Sequence, residues 1–451
     1  MPNTSQLSAP NARALIDSAS LSRFQWQTFF LCFCVTLFDG FDTQAIAFTG
    51  PAIASAFHLN PSELTPLIVA GTVGMALGAI SVGSLGDRIG RRPTILLAVL
   101  IFGIFSLATG FASSPNEILL ARFLTGLGMG GAVPVVLSLV SELSPARHRG
   151  LIITGALLGL PMGAIGGGIL ASRLLPQIGW QGVFILGGVM PLVFLLVLLA
   201  KLPESPFFLA VKNVSRYREQ IFLLLSRILP KTDSAILQTS AQIVPEKTAQ
   251  PSFSALLQPQ FLRNTLAVWL TYFCNWAAWF MLLLWLPTVL KSAGLPAEQA
   301  ALGTVIINSP AILFCMVMAY YLPKKPVRVL LTATLAFGIA VTLALSMAGS
   351  QWALVFFLIG AAGVGIGLPQ IALNYVVLEA YPTELRATGA GWAIGMGRTG
   401  SIVGASAGGW LLKTFGVAGF YSALSVPLLL AIAGVLMIRT PQASLKEGAR
   451  S

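Results

Sequence analysis

Two aspartates close the first long apolar run of this chain, in the stretch Phe38-Asp39-Gly40-Phe41-Asp42-Thr43. The residues from Phe29 to Phe38 carry no charge. At about 100° per residue, a spacing of three leaves the two carboxylates within about 60° of each other on one helix face. A carboxylate in a membrane-spanning helix is costly, so it faces a polar cavity, holds a partner or carries a proton. Each of these suits a group that binds and releases protons during transport. Two cations stand in comparable surroundings, Arg122 and Arg398. An intramembrane arginine needs an anion or a carbonyl beside it, from protein or ligand. Arg398 has no acidic residue in its own apolar stretch, so a substrate carboxylate is its expected partner, with helix carbonyls as the alternative. Arg122 is expected near the aspartates. It either binds substrate or forms a fixed buried pair tying two helices together.

These residues need helices to hold them, and the composition supplies little else. Of 451 residues, 56% are hydrophobic and 9% charged, with mean hydropathy +0.83. Soluble domains carry roughly 25% charged residues, so the chain is expected to be a polytopic membrane protein. Twelve runs are long enough to cross a ~30 Å hydrocarbon core. Of the 27 lysines and arginines, 22 fall on the side of the N-terminus and three, Arg173, Lys291 and Lys413, on the other. The asymmetry places both termini in the cytoplasm and accounts for most of the net charge of +12, leaving no case for nucleic acid. No signal peptide is recognisable at the N-terminus. Cys32, Cys34, Cys274 and Cys315 lie in apolar runs without a C-x-x-C pair, so they are expected to pack rather than to bind metal.

Depth follows from a rise of 1.5 Å per residue, which puts Asp39 and Asp42 roughly 22–27 Å above the cytoplasmic start of the first helix. Arg122 falls in the same outer half, and Arg398 and Gln370 near mid-depth. Tyr272, Asn275, Trp276 and Trp279 follow an i, i+3, i+4, i+7 pattern, forming one aromatic face with a polar residue in it. Such a face could stack on a planar ring or simply pack.

An internal repeat divides the chain. Glu142-Leu-Ser-Pro145-Ala-Arg-His-Arg149 and Glu379-Ala-Tyr-Pro382-Thr-Glu-Leu-Arg386 share E-x-x-P-x-x-x-R at an offset of 237 residues. The same offset carries Arg91 onto Arg328. The expected organisation is a tail (1–23), a six-helix half (24–201), a polar cytoplasmic loop (202–262), a second six-helix half (263–438) and a tail (439–451). The fold class is therefore all-α membrane protein, with two pseudo-symmetric halves.

Between the second and third runs stands Gly83-Ser84-Leu85-Gly86-Asp87-Arg88-Ile89-Gly90-Arg91-Arg92. Its G-x-x-x-D-R-x-G-R-R pattern resembles the signature loop of the major facilitator superfamily. Together with D-G-F-D-T at 39–43, the Arg122 stretch, the Tyr381–Arg386 motif and Gly397-Arg398, the chain resembles the aromatic acid/proton symporter family. The resemblance covers about 24–438 and implies uptake of an aromatic carboxylate with protons across a bacterial inner membrane. Gly83, Asp87, Arg88 and Arg91, with Glu142, Arg149, Glu379 and Arg386, are then the candidates for an inner gate. Asp39 and Asp42 become the candidates for proton coupling, and Arg122, Arg398, Tyr272, Asn275, Trp276, Trp279 and Gln370 for substrate binding.

Three departures from the family pattern bear on specificity. Leu284 precedes Trp285-Leu286-Pro287 where relatives place a small polar residue, and Val135 follows Pro134 where they often have Asn. If both face the cavity, poorly hydroxylated, benzoate-like acids are preferred. The second-half loop, Tyr320-Tyr-Leu-Pro-Lys324-Lys325, lacks the usual acid and Gly, so the inner latch is expected to be asymmetric. The combined reading is a monomeric symporter for a small organic anion in a lipid bilayer. It uses the proton as coupling ion and needs no cofactor and no metal. Proton-antiport export of drugs or metabolites is the alternative, and a non-transporting membrane sensor a second one. No nucleophile–base or metal-spaced cluster suggests an enzyme.

Overall fold

With no water to satisfy the backbone, an apolar run crosses a bilayer as a helix. The structure, a computed structural model, describes residues 12–438 apart from 231, 241–252, 322, 323, 325, 383 and 384. The residues before 12, the tail from 439 onward and Lys325 therefore lie outside the described residues. Nine stretches among the described residues are long and apolar enough to cross a membrane. Two of these, Arg149–Lys201 and Thr388–Met437, run to 53 and 50 residues. Each reverses at a glycine of positive φ, Gly179 (65°) and Gly416 (66°). An L side chain rarely adopts that conformation, so glycine marks both hairpins. Counting each as two crossings and adding the twenty-residue helix Leu302–Tyr321 makes twelve.

The first four spans are Arg23–Ala56, Pro61–Ile89, Arg91–Gly110 and Pro115–Leu143. The two arms of Arg149–Lys201 are the fifth and sixth. Pro259–Ser292 is the seventh, Leu302–Tyr321 the eighth, Val327–Met347 the ninth and Trp352–Val377 the tenth; the arms of Thr388–Met437 are the last two. Their starts are written in the sequence. Ser22 with Gln25, and Asn60 with Glu63, form reciprocal capping boxes that satisfy otherwise orphaned backbone donors. Gly179 and Gly416 are themselves 237 residues apart, the offset of the charged loops.

The segment 202–262, expected as a loop, contains a helix, Pro206–Ile228. Its Phe208, Leu209, Ile221, Leu225 and Ile228 are buried in one apolar cluster with Phe29, Ile152 and Leu198. The polar residues that suggested a loop are its exposed face, including Lys212, Arg216 and Arg218. A short helix, Ala12–Ser18, also packs on this basic face, burying Ile16. Cys32, Cys34 and Cys274 are free thiols.

Away from the basic face the two halves meet closely. Lys291, near the end of the seventh span, donates to the carbonyl of Pro51 (2.8 Å) and to Ser55 Oγ in the first. Gly409 of the eleventh span lies so near Thr65 and the Pro61 carbonyl that any side chain there would collide.

Candidate functional site

The charge expected to neutralise Arg122 is Asp42. Arg122 Nη1 donates to Asp42 Oδ2 at 2.7 Å, and Nη2 to the Asp42 backbone carbonyl at 3.0 Å. Ser106 Oγ donates to the other carboxylate oxygen at 2.5 Å. The guanidinium lies 5.3 Å from the centre of the Phe184 ring. Asp42 is fully buried and Arg122 is 2% exposed, so the ion pair lies inside the protein. It draws together the first, third, fourth and sixth spans, all in one half. Named above as a substrate ligand, Arg122 has both terminal nitrogens committed to Asp42. Of the two readings left open by the sequence, the fixed pair is the one formed.

Asp39, one turn earlier, has different neighbours. Its Oδ1 accepts from Thr43 Oγ1 at 3.1 Å, while Oδ2 is buried without a hydrogen-bond partner among the described residues. The charge acting on it most strongly is Arg398, in the opposite half. Expected as a pair on one face, the two carboxylates differ in their partners: Asp42 is ion-paired inside its own half, while Asp39 makes no ion pair with the described residues.

The Arg398 guanidinium makes no hydrogen bond or ion pair with the described residues, although its backbone carbonyl accepts from Ser401 Oγ at 2.7 Å. Its guanidinium lies 5.6 Å from the centre of the Trp276 ring, within cation–π range. Trp276 stacks in turn on Phe280, with centroids 5.9 Å apart. Asn275 is buried, and its Nδ2 donates to the Ile366 carbonyl at 3.0 Å. That carbonyl belongs to a π-helical turn, Gly363–Gly367, where the regular α-helical pairing is interrupted. Asn275 thus fastens the bend and keeps its Oδ1 without an internal partner, as are Trp276 Nε1 and Gln370 Nε2. The remaining two members of the aromatic face pack instead. Tyr272 donates to Asn374 Oδ1 at 3.3 Å and Trp279 lies on Gly367.

Leu284 lines a small cavity beside Arg122 rather than the Trp276 wall. Val135 lies further off, in a cleft of about 130 Å³ with Gly83, Gly86, Asp87, Arg91 and Pro134. The expectation of poorly hydroxylated substrates required both to face one substrate cavity; the two line separate cavities.

The inner-gate candidates of the first half form a network. Arg91 donates to Glu142 Oε1 from Nε (3.2 Å) and Nη2 (2.9 Å), and lies 3.2 Å from Asp87. Arg149 pairs with Asp17 at 2.7 Å, whereas Arg88 is exposed. The sequence reading missed Glu204. It accepts from the backbone of Arg91 (2.9 Å) and Arg92 (3.2 Å), capping the third span where Gly90 has φ 116°. Burial outweighs these bonds and raises its pKa above the usual carboxylate value. In the second half Arg386 donates to the Tyr381 carbonyl at 3.2 Å, while Glu379 and Arg328 interact only through their fields. Breaking the first-half network with Glu142→Gln is expected to slow transport and leave substrate affinity intact. Tenfold weaker equilibrium binding at an unchanged cycling rate would sink that assignment.

Comparison with known proteins follows the same lines. A family model described as Major Facilitator Superfamily matches residues 32–400. The chain is 34% identical over 437 residues to the 4-hydroxybenzoate transporter PcaK of Pseudomonas putida, covering 95% of each chain. It is 34% identical over 436 residues to the gallate transporter of the same species, covering 96% of this chain and 94% of that one. With the benzoate transport protein of Acinetobacter baylyi it shares 27% identity over 439 residues, covering 95% and 92%. Among solved structures it resembles a partially occluded inward-open conformation of the xylose transporter XylE from E. coli. The TM-score is 0.73 at 18% identity, covering 91% of this chain and 98% of that one.

Proposed function

This chain belongs to the major facilitator superfamily, and we propose that it imports an aromatic monocarboxylate with protons across the bacterial inner membrane, both termini cytoplasmic. It is a multi-pass membrane transporter of the aromatic acid type, not an enzyme. One observation carries the finer reading. Arg398 sits over Trp276 within a membrane span, its guanidinium without a hydrogen bond or ion pair from the described residues and with Asp39 acting on it from the other half.

A guanidinium fork binds a carboxylate through two parallel bonds, and an indole face receives the attached ring. Asn275 Oδ1, Trp276 Nε1 and Gln370 Nε2 supply one acceptor and two donors without internal partners. Ring hydroxyls entering such a site would regain hydrogen bonds lost on leaving water, so hydroxylated benzoates fit it better than benzoate. The names of the 4-hydroxybenzoate and gallate transporters accord with that class.

Coupling follows from charge. While Asp39 is ionised it competes with the substrate for Arg398. A proton taken up by Asp39 removes the competitor, and the substrate carboxylate takes its place. The loaded site is then close to neutral, which lowers the cost of closing the halves around it. Release inside reverses both steps.

The test is Arg398→Lys in proteoliposomes, with labelled 4-hydroxybenzoate counterflow. An ammonium keeps the charge and loses the fork, so KM is expected to rise about tenfold, equivalent to about 1.4 kcal/mol. Unchanged KM would remove Arg398 from the substrate site. Accumulation under an acid-outside gradient fixes the direction; expulsion under the same gradient would favour the exporter.

A further inference from the structure

A small cavity of about 10 Å³ lies beside the Asp42–Arg122 pair, roughly the room that one water molecule requires. Nine of its ten lining residues come from the first, second and fourth spans, and Leu284, from the seventh, is the tenth. Two lining residues reach the carboxylates. Arg122 holds Asp42, and its own Nε is buried without a partner; Thr43 holds Asp39. Thr72 adds a second hydroxyl. The cavity thus borders the partners of both buried acids, Arg122 and Thr43, on one side and meets the opposite half, through a single apolar side chain, on the other.

We propose that this cavity is the proton vestibule of the carrier and that Leu284 is its door. The proposal rests on the proton-coupled reading above. Leu284 travels with the second half, so parting of the halves on the outer side withdraws it and admits a hydrated proton from outside. One water in the cavity accepts that proton and passes it on through the Thr43 hydroxyl to the Asp39 carboxylate, which becomes a neutral acid. When the halves close, as they are closed around Lys291, Leu284 covers the vestibule again. With the vestibule covered, the way left to the proton is the interface at Arg398 toward the inside. An apolar door suits this task, because a polar side chain would itself relay protons in the closed state.

The measurement is proton entry into proteoliposomes, read by an internal pH dye under an inside-negative potential, alongside substrate counterflow. Wild type should admit protons only with 4-hydroxybenzoate present. Leu284→Ala should leak protons without substrate about tenfold faster than wild type, while counterflow shows that the protein is folded and cycling. Leu284→Met should stay tight. Gly71→Ala provides an independent arm. A methyl there would sit 3.6 Å from Arg122 Nη2, an ordinary contact, and would occupy the vestibule. In combination with Leu284→Ala it should suppress the leak. A Leu284→Ala protein as tight as wild type, or a leak indifferent to Gly71→Ala, overturns the door and leaves coupling standing. Wild-type substrate flux without proton flux overturns the coupled reading, and the vestibule with it.

Discussion

Proteoliposomes carrying Asp39→Asn will exchange substrate but will not concentrate it. The amide reproduces the shape and neutrality of the protonated acid, keeps the contact with Thr43, and leaves Arg398 available for a carboxylate. What it cannot do is release a proton. One pH unit across the membrane supplies about 1.4 kcal/mol per proton, enough for about tenfold accumulation at a one-to-one stoichiometry. The wild type should approach that ratio under an acid-outside gradient, and the variant should stop at equal concentrations inside and out. Counterflow, which needs no net proton movement, should persist in both. Accumulation by Asp39→Asn to the wild-type level would take this carboxylate out of the proton path.

The second large effect is on stability. Removing the charge of Arg122 by Arg122→Met leaves Asp42 buried among four spans, with only Ser106 to answer it. Breaking a buried pair from one side costs about 3–5 kcal/mol, whereas removing both charges is often neutral. Arg122→Met should therefore unfold at a distinctly lower temperature in detergent, and the double variant Asp42→Asn/Arg122→Met should recover most of the loss. Neither should accumulate substrate. A double variant no more stable than Arg122→Met would mean that the span contacts, rather than the ion pair, set the stability of this half.

The four intramembrane charges were legible in the sequence because their cost makes each one stand out against an apolar background. The signature loop and the 237-residue offset were legible for another reason. Glycine and charge positions in tight turns tolerate few alternatives, and the offset recurs between Gly179 and Gly416, which the sequence reading had not used. Partner choice was not legible. Serine is an ordinary packing residue in a membrane helix, so nothing marked Ser106 as the second ligand of Asp42. Glu204 was lost among the charges of a segment taken for a loop. The surroundings of Val135 and Leu284 were not legible, because residue spacing places a side chain on a helix face without fixing which helices that face meets.

Lys291 offers its ammonium to a backbone carbonyl and a hydroxyl, and no carboxylate pairs with it among the described residues. Neither acceptor titrates in any environment a living cell meets. On the proposed coupling, the fuel is acidity on the outer side, the same medium that bathes this clasp. A clasp built on aspartate or glutamate would loosen as the fuel became plentiful, opening the barrier when the gradient across it is steepest. A clasp of amide and alcohol oxygens holds equally in a rich and a poor gradient, so the strength of the lock is independent of the size of the supply.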